Sequence, residues 1–133
     1  MFQLSSSITL GPSAQYISLP PAGSRPAGDI MCHITGWGNL ASGRPSPNKR
    51  WDVLLYSEAN CQAAHGSSIT STMLCAGVPE GGKGACSGDY GGPLVYGAVQ
   101  VDTASWGIKP CTIKGYPDVY TNIGSVMDLI TSC

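Results

Sequence analysis

From Ile30 onward the chain alternates short apolar segments with turn signals: Ile30 to Trp37, Trp51 to Tyr56, Met73 to Gly77, Pro93 to Tyr96, Val99 to Trp106 and Val119 to Ile123. Several strands at such spacing predict an antiparallel barrel or a sandwich. Two short helices interrupt them. Ser57 can cap a helix over Glu58 to His65, with Glu58 in the favoured first turn and Gly66 as the stop. A second helix runs from about Gly124 to Thr131, where Val126, Leu129 and Ile130 form one apolar stripe for docking on the sheet. Before Ile30, the Ser5 to Ser7 run, Gly11-Pro12, Pro20-Pro21 and Arg25-Pro26 break any long element and read as a connector, with a short strand at Gln15 to Leu19.

Composition sharpens this picture. The 133 residues set one domain, and 18 Gly with 10 Pro and only 11% charged residues suit many strands joined by tight turns. A net charge of -1 with no basic block argues against nucleic acid, heparin or an anionic membrane as partner. Apolar runs fall far short of the about 20 residues of a membrane span, and the first residues lack the regions of a signal peptide. Yet six Cys with no C-x-x-C pair point to an oxidising compartment and to disulfides, so the chain reads as the later part of a longer secreted protein. No metal-ligand spacing and no cofactor motif is present.

The segment Ala85-Cys86-Ser87-Gly88-Asp89-Tyr90-Gly91-Gly92-Pro93-Leu94 resembles the nucleophile loop of the trypsin-like, chymotrypsin-fold serine proteases, with Tyr90 where that family carries its attacking serine. Further matches follow in family order: Ile34-Thr35-Gly36-Trp37-Gly38, Met73-Leu74-Cys75-Ala76-Gly77, Ser105-Trp106-Gly107 and Tyr116-Pro117-Asp118-Val119-Tyr120. Phe2-Gln3-Leu4 resembles the end of the strand after the family's catalytic aspartate, and Gln15 to Pro20 its inter-barrel connector. The resemblance implies an all-β fold: the second six-stranded antiparallel barrel of the chymotrypsin fold over residues 29–133, preceded by a connector over 1–28 and ended by a short helix. The segments between Gly38 and Cys61 and between Pro93 and Ser105 are each shorter than the family norm by about three or four residues, which puts closure of the barrel in question.

Residue by residue, the resemblance assigns the oxyanion donors to the Gly88 and Tyr90 amides and the activation switch to Asp89, the residue that pairs with a freed amino terminus in this family. With no such terminus in view, it implies a poorly formed, zymogen-like loop. It puts Gly84 at the base of the substrate pocket, Ser105, Trp106 and Gly107 on its wall and edge, and Asp118 at a wall position usually held by glycine. A carboxylate there would suit Lys or Arg side chains; the plainer reading is a turn aspartate after Pro117. Cys61–Cys75 and Cys86–Cys111 match two family bridges, whereas the place of Cys32's partner holds Tyr96, and Cys133 has no evident mate; both should remain thiols or bond between molecules.

A phenol with a pKa near 10 makes a poor nucleophile and overshoots the carbon a serine would reach. Neither histidine falls at the family's catalytic position: His65 ends the first helix, and His33 lies on a strand. The expected function is a non-catalytic remnant of a serine endopeptidase, secreted, binding a protein or peptide or a missing N-terminal barrel. The alternative is a truncated or imperfectly assembled version of an active secreted endopeptidase.

Overall fold

Period-two burial sets in at Ile30 in the computed structural model, which describes residues 4–132. In β1 (Ile30–Gly36) Cys32 and Ile34 are buried while Met31 and Thr35 face outward, and in β2 (Lys49–Leu55) Val53 and Leu55 are buried while Arg50 and Asp52 are not. Helix α1 (Glu58–His65) follows, then β3 (Met73–Gly77), β4 (Pro93–Tyr96), β5 (Val99–Trp106), β6 (Asp118–Asn122) and α2 (Met127–Thr131). The strands close into an antiparallel barrel in the order β1-β2-β3-β6-β5-β4. Side chains of one face of each strand fill it, with Ile34, Val53, Leu55, Leu74, Leu94 and Tyr120 at its centre.

The shortened segments do not prevent closure, and the reason lies in where the shortening falls. β1 and β2 keep full register from Ile30 opposite Leu55 to Gly36 opposite Lys49. β4 and β5 meet in a tight hairpin, Tyr96 opposite Val99, whose first central residue is Gly97 at φ 60°, a conformation that glycine adopts without strain. Register shifts at Leu94/Val95 and at Ala104/Trp106 add local twist. The seam then needs only His33 opposite Val95 and Ile34 opposite Leu94.

Helix α1 takes the expected bounds: the Ser57 side chain accepts from the Asn60 amide at 3.3 Å, and Gly66 ends it at φ 62°. The C-terminal helix departs from expectation. Gly124–Val126 is a 3-10 turn and α2 only Met127–Thr131, so the change from three to 3.6 residues per turn shifts the stripe, and Leu129 is 68% exposed. Gln15 to Leu19 also forms no strand; Pro20 and Pro21 follow at once, and only Ser18 makes a bridge, parallel, to Val99. The connector is nonetheless tied down, because Arg25 donates to the carbonyls of Ser71 at 2.5 Å and Met73 at 2.8 Å. Phe2, Gln3 and Cys133 lie outside the described residues.

One inward position breaks the apolar pattern. Asp102 in β5 is fully buried, Asn122 donates to its Oδ1 at 3.2 Å, and its Oδ2 has no partner among the described residues. Burial is the main cause that pushes its pKa up to about 7; the Asn122 hydrogen bond and the Arg25 charge oppose it. An acid raised in the folded state holds its proton between pH 4 and 7 while the unfolded chain releases it, so its contribution to folding stability is greatest below about pH 4, falls from there to about pH 7 and then levels. Asp102→Asn should therefore raise the melting temperature most at pH 8, less at pH 5, and flatten the dependence between; thermal melts followed by circular dichroism at the two pH values check this.

Candidate active site

Lys49 is the first residue of β2 and lies in phase with Val53 and Leu55, so its side chain enters the barrel end and is only 1% exposed. There its ammonium meets the Asp89 carboxylate, 5% exposed, at 2.5 Å and also donates to the carbonyl oxygens of Asn39 and, at 3.5 Å, Gly84. Asp89 takes two further bonds: Oδ1 accepts from the Gly38 amide at 2.9 Å and Oδ2 from the Cys86 amide at 3.0 Å. The Gly36-Trp37-Gly38 motif has a local reason here, since a Cβ on either glycine would collide with the Asp89 carboxylate. Trp37 between them points outward, 79% exposed.

With Asp89 turned inward, its amide bonds the Cys86 carbonyl at 2.9 Å, the Gly92 amide bonds the Asp89 carbonyl at 2.8 Å, and the Gly91 amide bonds Ala104 at 2.8 Å. Gly88 sits at φ 95°. Among the described residues, the Gly88 and Tyr90 amides have no hydrogen-bond partner, which leaves them free to receive one. Asp89 is thus held in a buried ion pair with the ammonium of Lys49. Its signal was present in the sequence as a lysine on the inward phase of a strand, yet only the fold pairs it with Asp89, 40 residues away.

Tyr90 is 44% exposed, and the Lys109 ammonium stands 5.5 Å from its ring centroid while donating to Ser87 Oγ at 2.7 Å. His65 is engaged elsewhere: its Nε2 is 2.7 Å from the Pro117 carbonyl, and its ring meets the edges of Trp106 and Tyr116. His33 stays within β1, opposite Asp52 and Val95.

Asp118 opens β6 and is buried, which removes the solvent-facing turn as its setting. Its Oδ2 accepts from the Ala85 amide at 2.9 Å, and a Cβ on Gly84 or Gly107 would strike its carboxylate. Gly84, Gly107 and Asp118 therefore converge, with Ser105 exposed and Trp106 half-buried on the adjoining end of β5. The Cys86–Cys111 disulfide joins the Asp89 loop to the segment carrying Lys109. Burial pushes the Asp118 pKa up to about 7, against the Ala85 hydrogen bond and the Lys49 and Lys109 charges, with Asp89 adding a little in the same direction as burial.

Cys61–Cys75 closes the second bridge, beside Ile69 and Val119. Each ring, 14 and 25 residues in separation, is worth roughly 3 kcal/mol in the chain-entropy account. Cys32 is a free thiol inside the barrel, raised to about 11 by burial first and the Asp102 charge second. Its alkylation by iodoacetamide at pH 8 should be at least about a hundredfold slower in the native protein than in denaturant; peptide mapping that found native Cys32 alkylated at the denatured rate would contradict this burial.

The barrel, its two bridges and the Asp89 loop together define the C-terminal barrel of a trypsin-like serine protease. The comparisons agree: the chain belongs to the trypsin family, whose sequence profile, described as Trypsin, matches residues 1–130. It is 36% identical over 126 residues to human Kallikrein-14 (Homo sapiens), covering 92% of this chain and 46% of that protein. It is 38% identical over 133 residues to Trypsin II-P29 of Gallus gallus (98% and 52%), and 39% identical over 135 residues to Anionic trypsin of Canis lupus familiaris (99% and 53%). The chain spans about half the length of these curated relatives.

Proposed function

We propose that this chain is a non-catalytic trypsin-family barrel, secreted, that binds a peptide or protein at the barrel end where Gly84, Gly107 and Asp118 converge. The observation that carries this reading is Tyr90. A phenol stands where the family's nucleophile belongs, half-exposed beneath Lys109, and both histidines of the chain have other surroundings. Acyl transfer needs a nucleophile beside a base as well as oxyanion donors, and here only the donors remain. Loss of the serine alone costs on the order of 10⁶ in kcat in a triad hydrolase of another fold. The two disulfides suit an oxidising, extracellular setting.

The isolated chain should therefore hydrolyse neither peptide nor ester substrates, and Tyr90→Ser should stay at background, since it restores an oxygen without a base. Stoichiometric labelling of Tyr90→Ser by a fluorophosphonate together with ester turnover would overturn the reading. The binding half of the proposal is tested with benzamidine against its neutral isostere benzamide. The Asp118 carboxylate must be ionised to select the cation, and its pKa of about 7 puts the change close to neutrality. Benzamidine affinity, about millimolar given a charge-assisted bond of roughly 1.5–3 kcal/mol net and the cost of association, should rise from pH 6 to pH 8. Asp118→Asn should abolish the preference over benzamide. Equal NMR shifts for the two ligands at pH 8 would refute cation selection.

A second reading is favoured by the share of the relatives that is covered: a truncated version of an active secreted endopeptidase. The intact mass of the natural protein separates the two, near 13.7 kDa for the barrel alone and about twice that for a longer chain.

A further inference from the structure

A lysine is almost never fully buried unless its charge and its three N–H donors are all met. Lys49 meets that condition in one place only: Asp89 Oδ2 answers the charge, and the Asn39 and Gly84 carbonyls accept the remaining donors. Asp89 is held as fully, by this ammonium and by the amides of Gly38 and Cys86. The glycines at 36 and 38 keep the space its carboxylate occupies. The two side chains form a closed set that joins the start of β2 to the centre of the 85–92 loop. While Asp89 points inward, the Asp89 and Gly92 amides are spent within the loop and those of Gly88 and Tyr90 are not.

We propose that Lys49 is an internal positioning cation: its buried ammonium holds Asp89 inward and thereby keeps the Gly88 and Tyr90 N–H groups presented, so that this loop is set from within β2 and needs no freed amino terminus. Lys49, buried behind the loop, acts through Asp89. The inference rests on the function proposed above only for what the loop would receive; the loop's own shape is read independently of any ligand.

The test is amide hydrogen exchange and nitrogen-15 NMR on the full chain. In Lys49→Met, exchange at Gly38 and Cys86 should accelerate at least about a hundredfold, and the Gly88 and Tyr90 resonances should move, while amides of the β3–β6 ladder around Leu74 and Tyr120 change less than about threefold. Lys49→Arg, which keeps the cation, should stay close to the parent protein. In Lys49→Ala, n-butylammonium should restore the protection and the parent resonances saturably, whereas tetramethylammonium, with no N–H to donate, at equal ionic strength should not. Unchanged exchange at Gly38 and Cys86 in Lys49→Met would overturn the proposal, as would acceleration of all amides together or no rescue by butylammonium. Global unfolding of both Lys49→Met and butylammonium-loaded Lys49→Ala would overturn it too, because the cation would then be a requirement of the barrel instead of the loop. Failure of benzamidine to bind would leave these readouts untouched.

Discussion

The arrangement of the site depends on one buried ion pair. Taking Lys49 and Asp89 out of water costs several kcal/mol per ion, and their attraction offsets this only with good geometry and further hydrogen bonds. Here the separation is 2.5 Å, and backbone groups of Gly38, Asn39, Gly84 and Cys86 complete both shells. Removing one partner of such a pair leaves the other charge buried and unanswered. The glycines of the Gly36-Trp37-Gly38 turn leave room for this pair, the inward phase of β2 delivers its lysine, and the curl of the 85–92 loop delivers its aspartate.

Three buried carboxylates show what that pairing decides. Asp89 has a cation and two amides; Asp118 has one amide with Lys49 and Lys109 farther off; Asp102 has one side-chain amide and an oxygen left over. The second and third are raised to about 7 because burial outweighs their partial compensation. Their consequences run in opposite senses. Protonation near pH 6 relieves the buried charges and stabilises the barrel, while it removes the negative end that would select a cation at Asp118. Stability and cation binding therefore have different optima in the same protein.

The shape of the 85–92 loop does not rest on the side chain at position 90. Asp89, Lys49, the glycines and the Cys86–Cys111 bridge hold the loop through contacts that the side chain at position 90 does not enter. A tyrosine fits because that side chain projects outward, where Lys109 can stand against its ring.

Much of the fold could be read from the sequence because it is encoded locally. Short apolar segments between turn signals marked the strands from Ile30 onward, Ser57 and Gly66 bounded α1, and the glycine-rich loop pointed to the family, whose pattern implied the two bridges. Local rules failed where the outcome depended on phase or on distant neighbours. The Val126, Leu129 and Ile130 stripe assumed an unbroken α-helical period that the 3-10 turn interrupts. Closure of the barrel depended on how the hairpin at Gly97 absorbed the shortened segment. Asp118 could be a turn residue or a buried wall until β6 was paired on both sides. The Lys49–Asp89 pair is the extreme case: each residue is ordinary in its own segment, and only the tertiary fold brings two charges 40 residues apart into one desolvated space where neither is stable without the other.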